Sequence, residues 1–419
     1  MKKIVLLFLV SFSSFTLFSQ EVTTVAGSTI GYLEGNSLSA KFNFPTSVCK
    51  DHLGNVYVAD NGNHRIRKIS SDGMVTTLAG GIQGFANGNG AQAKFNSPFG
   101  VCVDTNGNVY VADKGNNKIR KITPDGIVTT FAGSTLGFGD GTGTQARFNT
   151  PFGICIDTNG TLYVADYGNQ KVRKITQSGV VTTLAGSTQG FSDGLGSQAK
   201  FNYLRGICVD LNNNVYVADY NNHKIRKITQ NGLVTTIAGS VEGYVNGLGS
   251  QAQFSYPSGI TVDSNGSLYV VEEYNHTVRK IKSSGDVITY AGTEPGFLDG
   301  SVSVAKFFQP CGIFIDSNNV IYVSDQSNQR IRKIASSTLD NQENLVVQFT
   351  ISPNPTSDVL LIRLDENLEL ITIKIYSNLG QLIKSEESTT ISTSDLSSGN
   401  YFIEITTDKG KATQSFIKQ

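Results

Sequence analysis

The chain has 419 residues, with 34 Lys and Arg against 34 Asp and Glu, 44 Gly, five Cys and no Trp. Zero net charge supplies no overall field to draw nucleic acid or an anionic membrane, so neither is expected as a partner. That much glycine suits a turn-dense all-β protein, and past the N-terminus no apolar run is long enough to span a bilayer.

In chain order, residues 1–19 place Lys2 and Lys3 before a short apolar run that ends in small residues ahead of Gln20. This is the layout of a secretory signal peptide. Nothing basic flanks the far end, as an anchor would require, and no Cys sits at the cleavage point, as a lipoprotein would require. Export is expected, with no transmembrane segment in the mature chain.

From Gln20 onward one unit is written six times. Its clearest copy, Asn149 to Gly186, reads as four short strands, GICID, LYVAD, KVRKI and VVTTLAG. They are separated by Gly-, Asn- and Asp-containing turns that tolerate positive φ. The acid closing the second strand recurs every 53 residues, at Asp60, Asp113, Asp166, Asp219, Glu272 and Asp325. Four strands at a period near 50 predict an all-β fold, a six-bladed β-propeller, over residues 20–337. The segment Val22–Gly27 matches the fourth strand of the unit, whereas the last copy stops after its third strand at Ile334. Val22–Gly27 is therefore expected to complete the sixth blade and close the ring.

Each connection between blades carries an acid or Asn before Gly, at Glu34, Asn87, Asp140, Asp193, Asn246 and Asp299. It then carries a Phe, at Phe42, Phe95, Phe148, Phe201, Phe254 and Phe307. The glycine-rich part lacks the Lys-Ser/Thr and the strand–turn–helix context of a phosphate loop, so a turn and a short helical hook anchored by Phe are expected.

The units VADNGNHRIRKI, VADKGNNKIRKI, VADYGNQKVRKI, VADYNNHKIRKI, VEEYNHTVRKI and VSDQSNQRIRKI resemble NHL repeats, over roughly residues 21–335. The resemblance implies a six-bladed propeller that is more often a binding scaffold than an enzyme; no cofactor is expected.

Cys49, Cys102, Cys155 and Cys208 share one column of the first strand, and Cys311 lies off it. Inner strands facing one another at about 10 Å are too far apart for disulfides, so buried free thiols are expected. His64, His223 and His276 share another column, one per blade, too dispersed for a common metal, and His52 lies in a first hairpin turn at the opposite end. The turns beginning at Asp104, Asp157 and Asp263 echo calcium loops, but lack the acid that ends a full loop.

The polar stretch 338–346 reads as a linker, and 347–419 as six or seven strands of a small Ig-like β-sandwich. ISPNP (Ile351–Pro355), IYSNLGQLI (Ile375–Ile383), LSSGNYFIEI (Leu396–Ile405) and the terminal FIK resemble the C-terminal sorting domain of type IX secretion substrates known from the Bacteroidetes. That resemblance implies the type IX machinery as a partner, and a secreted or outer-surface location.

Positions that vary among near-identical repeats are free of the blade's own needs. Two columns vary at the end of the ring where strand one begins and strand two stops. One is Asn61, Lys114, Tyr167, Tyr220, Glu273 and Gln326; the other is Thr46, Phe99, Phe152, Arg205, Ser258 and Cys311. In the fourth blade the Pro-x-Gly that usually opens strand one becomes Leu204-Arg205-Gly206, expected to bring Arg205 beside Tyr167 and Tyr220. Aromatic rings beside isolated Lys, Arg and Glu suit an extracellular glycan or protein ligand. The candidate ligand-binding set is Arg205, Tyr167, Tyr220, Phe99, Phe152, Lys114, Glu273, Asn61 and Gln326, with no catalytic residue assigned. The recurring acids read as structural acceptors, so a binding module is preferred over the alternative, a lyase or lactonase using the same mouth.

Overall fold

The computed structural model describes residues 20–336, 349–364, 368–378, 381–408 and 410–419; the expected signal peptide and linker lie outside them. The chain divides into two compact units at Ser337/Thr338.

The first unit is a ring of six antiparallel sheets. In the first blade the strands are Pro45–Lys50, Val56–Asp60, Arg65–Ile69 and Met74–Gly80, the second buried at all five positions. Each sheet has five strands rather than the expected four. The fifth is a two-residue strand from the preceding connection, such as Gly35–Asn36, paired to the outer strand Met74–Gly80. Four of the connections continue into a three-residue 3₁₀ turn, such as Gly90–Gln92. The six anchoring Phe side chains are fully buried.

Closure follows the expected route. Gln20–Ala26 lies between Arg330–Ser336 and Gly300–Ser301, with Val22 opposite Ile334 on one side and Gly300 on the other. The N-terminal strand thus completes the sixth blade, and Val22 is fully buried against Ile313, Ile321 and Ile334.

First strands line a central channel of about 360 Å³. At Gly100, Gly153, Gly206, Gly259 and Gly312 an added Cβ would come within 2.3–2.6 Å of a carbonyl oxygen of the next blade. The Gly of Pro-x-Gly is therefore required by backbone-to-backbone contact. In the first blade Ser47 takes this place, and its Oγ accepts from the Val101 N–H at 3.2 Å. Facing strands 10 Å apart are thus not what surrounds the axis: at the mouth the blades touch.

Each column cysteine fills the layer between its own blade and the next, as Cys49 does with Tyr57, Val101 and Val109. All five thiols are free. Burial pushes each of them up, Cys311 to about 11.

The second unit pairs a three-stranded sheet, Phe349–Ser352, Val359–Leu364 and Thr390–Ser392, with a four-stranded one. The latter contains Leu370–Ser377, Leu382–Glu386, Gly399–Thr407 and Gly410–Lys418. Leu360, Ile362, Ile373, Ile375, Ile403, Ile405 and Phe416 form one apolar layer from the alternate positions of both sheets.

Candidate functional site

The recurring acids are structural. Asp60 Oδ1 accepts the Asn43 N–H at 2.8 Å, and Oδ2 accepts from the Asn63 amide and the Arg67 guanidinium, each at 2.9 Å. Asp113 repeats the set with Asn96, Asn116 and Arg120. Glu272 does so with Ser255, Asn275 and Arg279. The arginines are fully buried, and the Arg67 guanidinium sits between two rings, 4.9 Å from Tyr32 and 5.2 Å from Phe42. Burial raises these carboxyls while guanidinium, amide and backbone donors pull the other way, which leaves Asp325 at about 6. This arginine column is a residue class that sequence reasoning missed, because Arg67 in RIRKI reads as part of a basic surface strand. The spacing of Asp60 to Arg67, repeated in all six units, was the available signal.

The histidine column is also structural. Nδ1 of His64, His223 and His276 accepts the backbone N–H of Ser97, Tyr256 and Gln309 in the next blade, at 3.0, 3.3 and 3.0 Å. Asn117, Gln170 and Gln329 make the same link with a side-chain oxygen, to Thr150, Tyr203 and Phe44. Hairpin acids cap their own turns, as Asp104 Oδ1 does by accepting from the N–H of Asn106 and of Asn108. Among the described residues no group of three His, Cys, Asp or Glu is placed to hold a metal.

At the mouth, most of the variable columns converge. Arg205 forms an ion pair with Glu273 of the neighbouring blade. Glu273 Oε2 also accepts from the Tyr220 hydroxyl at 2.8 Å. The guanidinium lies 3.6 Å from the Tyr220 ring centroid and 5.6 Å from that of Phe152. Its second ring is thus Phe152; Tyr167 stands one layer further out. Phe99, Phe152, Tyr167 and Tyr203 form a continuous run of ring contacts with centroid separations of 4.3, 4.1 and 4.7 Å, the first pair tilted and the other two stacked. Lys114 Nζ lies 4.6 Å from Phe152 and 5.6 Å from Phe99. It forms no hydrogen bond or ion pair among the described residues, and burial, reinforced by Arg205, lowers its pKa. Asn61 donates to the Pro98 carbonyl at 3.1 Å rather than to a side chain of the cluster, and no contact of this kind joins Gln326 to it among the described residues.

Thr46, Ser258 and Cys311 are buried at the same end, Thr46 donating to the Phe99 carbonyl at 2.8 Å. Arg205 and Glu273 are only 17% and 14% exposed, so these are wall residues rather than loop tips. The arrangement can present rings and a cation to a small ligand at the head of the channel.

Comparison with known proteins agrees with this architecture. The NHL repeat family matches residues 42–69, 95–122, 201–228 and 254–281, and the Teneurin NHL domain matches 134–193. The Secretion system C-terminal sorting domain matches 350–419. NHL repeat-containing protein 2 of Gallus gallus is 28% identical over 387 residues, covering 82% of this chain and 52% of its own. The chain spans a third to about half the length of the first curated relatives it matches. A Bacteroides thetaiotaomicron protein of unknown function shares the fold with a TM-score of 0.60 at 25% identity, over 76% of each chain. An auxiliary nutrient binding protein of the same organism does so with a TM-score of 0.59 at 17% identity, over 76% of each. Among the described residues no helix is long and apolar enough to cross a membrane. The chain is an NHL-repeat six-bladed β-propeller followed by a C-terminal sorting domain, which directs it through type IX secretion to the cell surface or beyond.

Proposed function

We propose that the propeller is a non-catalytic binding module outside the cell, with an extracellular peptide or glycan as its ligand and the channel mouth as its site. One observation carries this reading. Where the six repeats agree, side chains are consumed by structural bonds, as in the Asp60–Arg67 and His64–Ser97 links. Where they differ most, the residues gather at the mouth as a ring stack with two cations. Aromatic walls with a few polar groups are the usual composition of a ligand site.

The enzymatic alternative, a lyase or lactonase at this mouth, is less well supported. Glu273 is the one carboxylate of the two mouth columns. Its Oε2 already accepts from both Arg205 and Tyr220, so that oxygen is engaged within the wall rather than free to take a substrate proton. The test is a peptide and glycan array with the secreted chain, followed by titration of the hits. Phe152→Ala should weaken binding at least about tenfold, whereas Asn108→Ala at the opposite end should not. Loss of binding in Asn108→Ala with retention in Phe152→Ala would move the site to the hairpin end.

A further inference from the structure

Charge at the mouth is unbalanced. The two variable columns hold twelve side chains, of which Lys114 and Arg205 are cations and Glu273 is an anion. Cys311, with its thiol raised to about 11, is neutral. Arg205 is matched by Glu273, while Lys114 has no carboxylate partner among the described residues. Phe152 lies between the two cations, 4.6 Å from the ammonium and 5.6 Å from the guanidinium, and is itself buried. A half-buried ammonium is costly without a counter-charge, and an aromatic face offsets only part of that cost.

We infer that the mouth binds a small organic monoanion, a carboxylate on a flat apolar body, with the carboxylate at Lys114 Nζ and the body against Phe99, which Phe152 backs from behind. The inference rests on the mouth being the binding site and narrows its ligand class. The same mouth already holds one carboxylate in this manner: Glu273 is gripped by a guanidinium and a Tyr hydroxyl beside an aromatic ring. One unmatched positive charge calls for one negative charge. A phosphate dianion would leave the excess uncompensated in a half-buried place. The channel that opens here, about 360 Å³ and lined at its head by Phe99 and Arg205, sits at the small end of the range for ligand pockets, suited to a single-ring acid or one peptide terminus.

Calorimetric titration of the secreted chain with benzoate, phenylacetate and indole-3-acetate, each beside its neutral primary amide, tests this. Inorganic phosphate serves as the dianion arm. At least one carboxylate should bind about tenfold tighter than its amide and than phosphate. Lys114→Gln should lose that preference, and Lys114→Arg should keep it. The conservative variant separates loss of charge from damage to the fold, and thermal melts of both report the fold directly. No binding by any of the three acids at millimolar concentration, equal binding of acid and amide, or unchanged binding in Lys114→Gln would each overturn the inference. If neutral ligands from the array bind and are lost in Phe152→Ala, the mouth remains the site and only the carboxylate assignment falls. If an acid binds equally to Phe152→Ala and Lys114→Gln, both fall.

Discussion

His64, His223 and His276 show how single residues join blades, and they give the ring a pH dependence of definite sign. Each Nδ1 accepts a backbone N–H, which requires a neutral imidazole, and burial lowers each pKa from its ordinary value of about 6.5. With the native pKa below the unfolded one, the unfolded chain takes up the proton first. Stability is then full above about pH 6.5 and falls as pH drops toward the lower native value. The buried acids shift the opposite way, so the histidine contribution is isolated by comparison with a variant. Asn117 makes the same link, at φ 56° against 54° for His64. Replacing all three by Asn should therefore keep the fold, and the wild type should lose several degrees more in Tm than the variant between pH 7 and pH 5. Parallel melting profiles would show that the imidazoles carry no proton linkage.

The histidine column was visible in the sequence, but its role was not, because the partner is a backbone N–H 33 residues on with no side-chain signature. Arg205 and Glu273 are 68 residues apart, and only the ring geometry brings them together. What the variable columns did carry was proximity: seven of the nine candidate residues touch one another in one cluster, while Asn61 and Gln326 make no side-chain contact with it among the described residues.

At the level of elements, the strand pattern was legible because the Asp60 column, and the Gly that ends each outer strand at Gly27, Gly80, Gly133, Gly186, Gly239 and Gly292, mark every unit. The fifth strand was not. It is a two-residue Gly-centred pairing without alternation, created only when the connection folds back over the outer strand. Closure was legible as a displaced copy of strand four. Deleting residues 20–27 removes both neighbours' hydrogen bonds and the buried Val22 and Ala26, leaving Arg330–Ser336 as an exposed edge. That truncation should lower Tm far more than deleting the chain from Asn341. Equal melting temperatures would contradict closure by the N-terminal strand.

At the scale of the whole molecule, the propeller and the sorting domain each have their own apolar core. The sorting domain can therefore deliver the chain without taking part in the recognition proposed for the propeller. Removing the chain after Asn344 should leave a propeller with unchanged Tm that is retained inside the outer membrane. Its appearance in the medium of intact cells would contradict the delivery role of the tail.

The central claim, that the channel mouth is where this propeller meets its ligand, is tested most directly by a crystal structure of the secreted chain with a bound ligand taken from the array or the acid panel. The ligand is expected against Phe99 with a polar group at Lys114. A ligand seated instead at the hairpin end around Asp104 and Asn108, with the mouth unchanged, would contradict it.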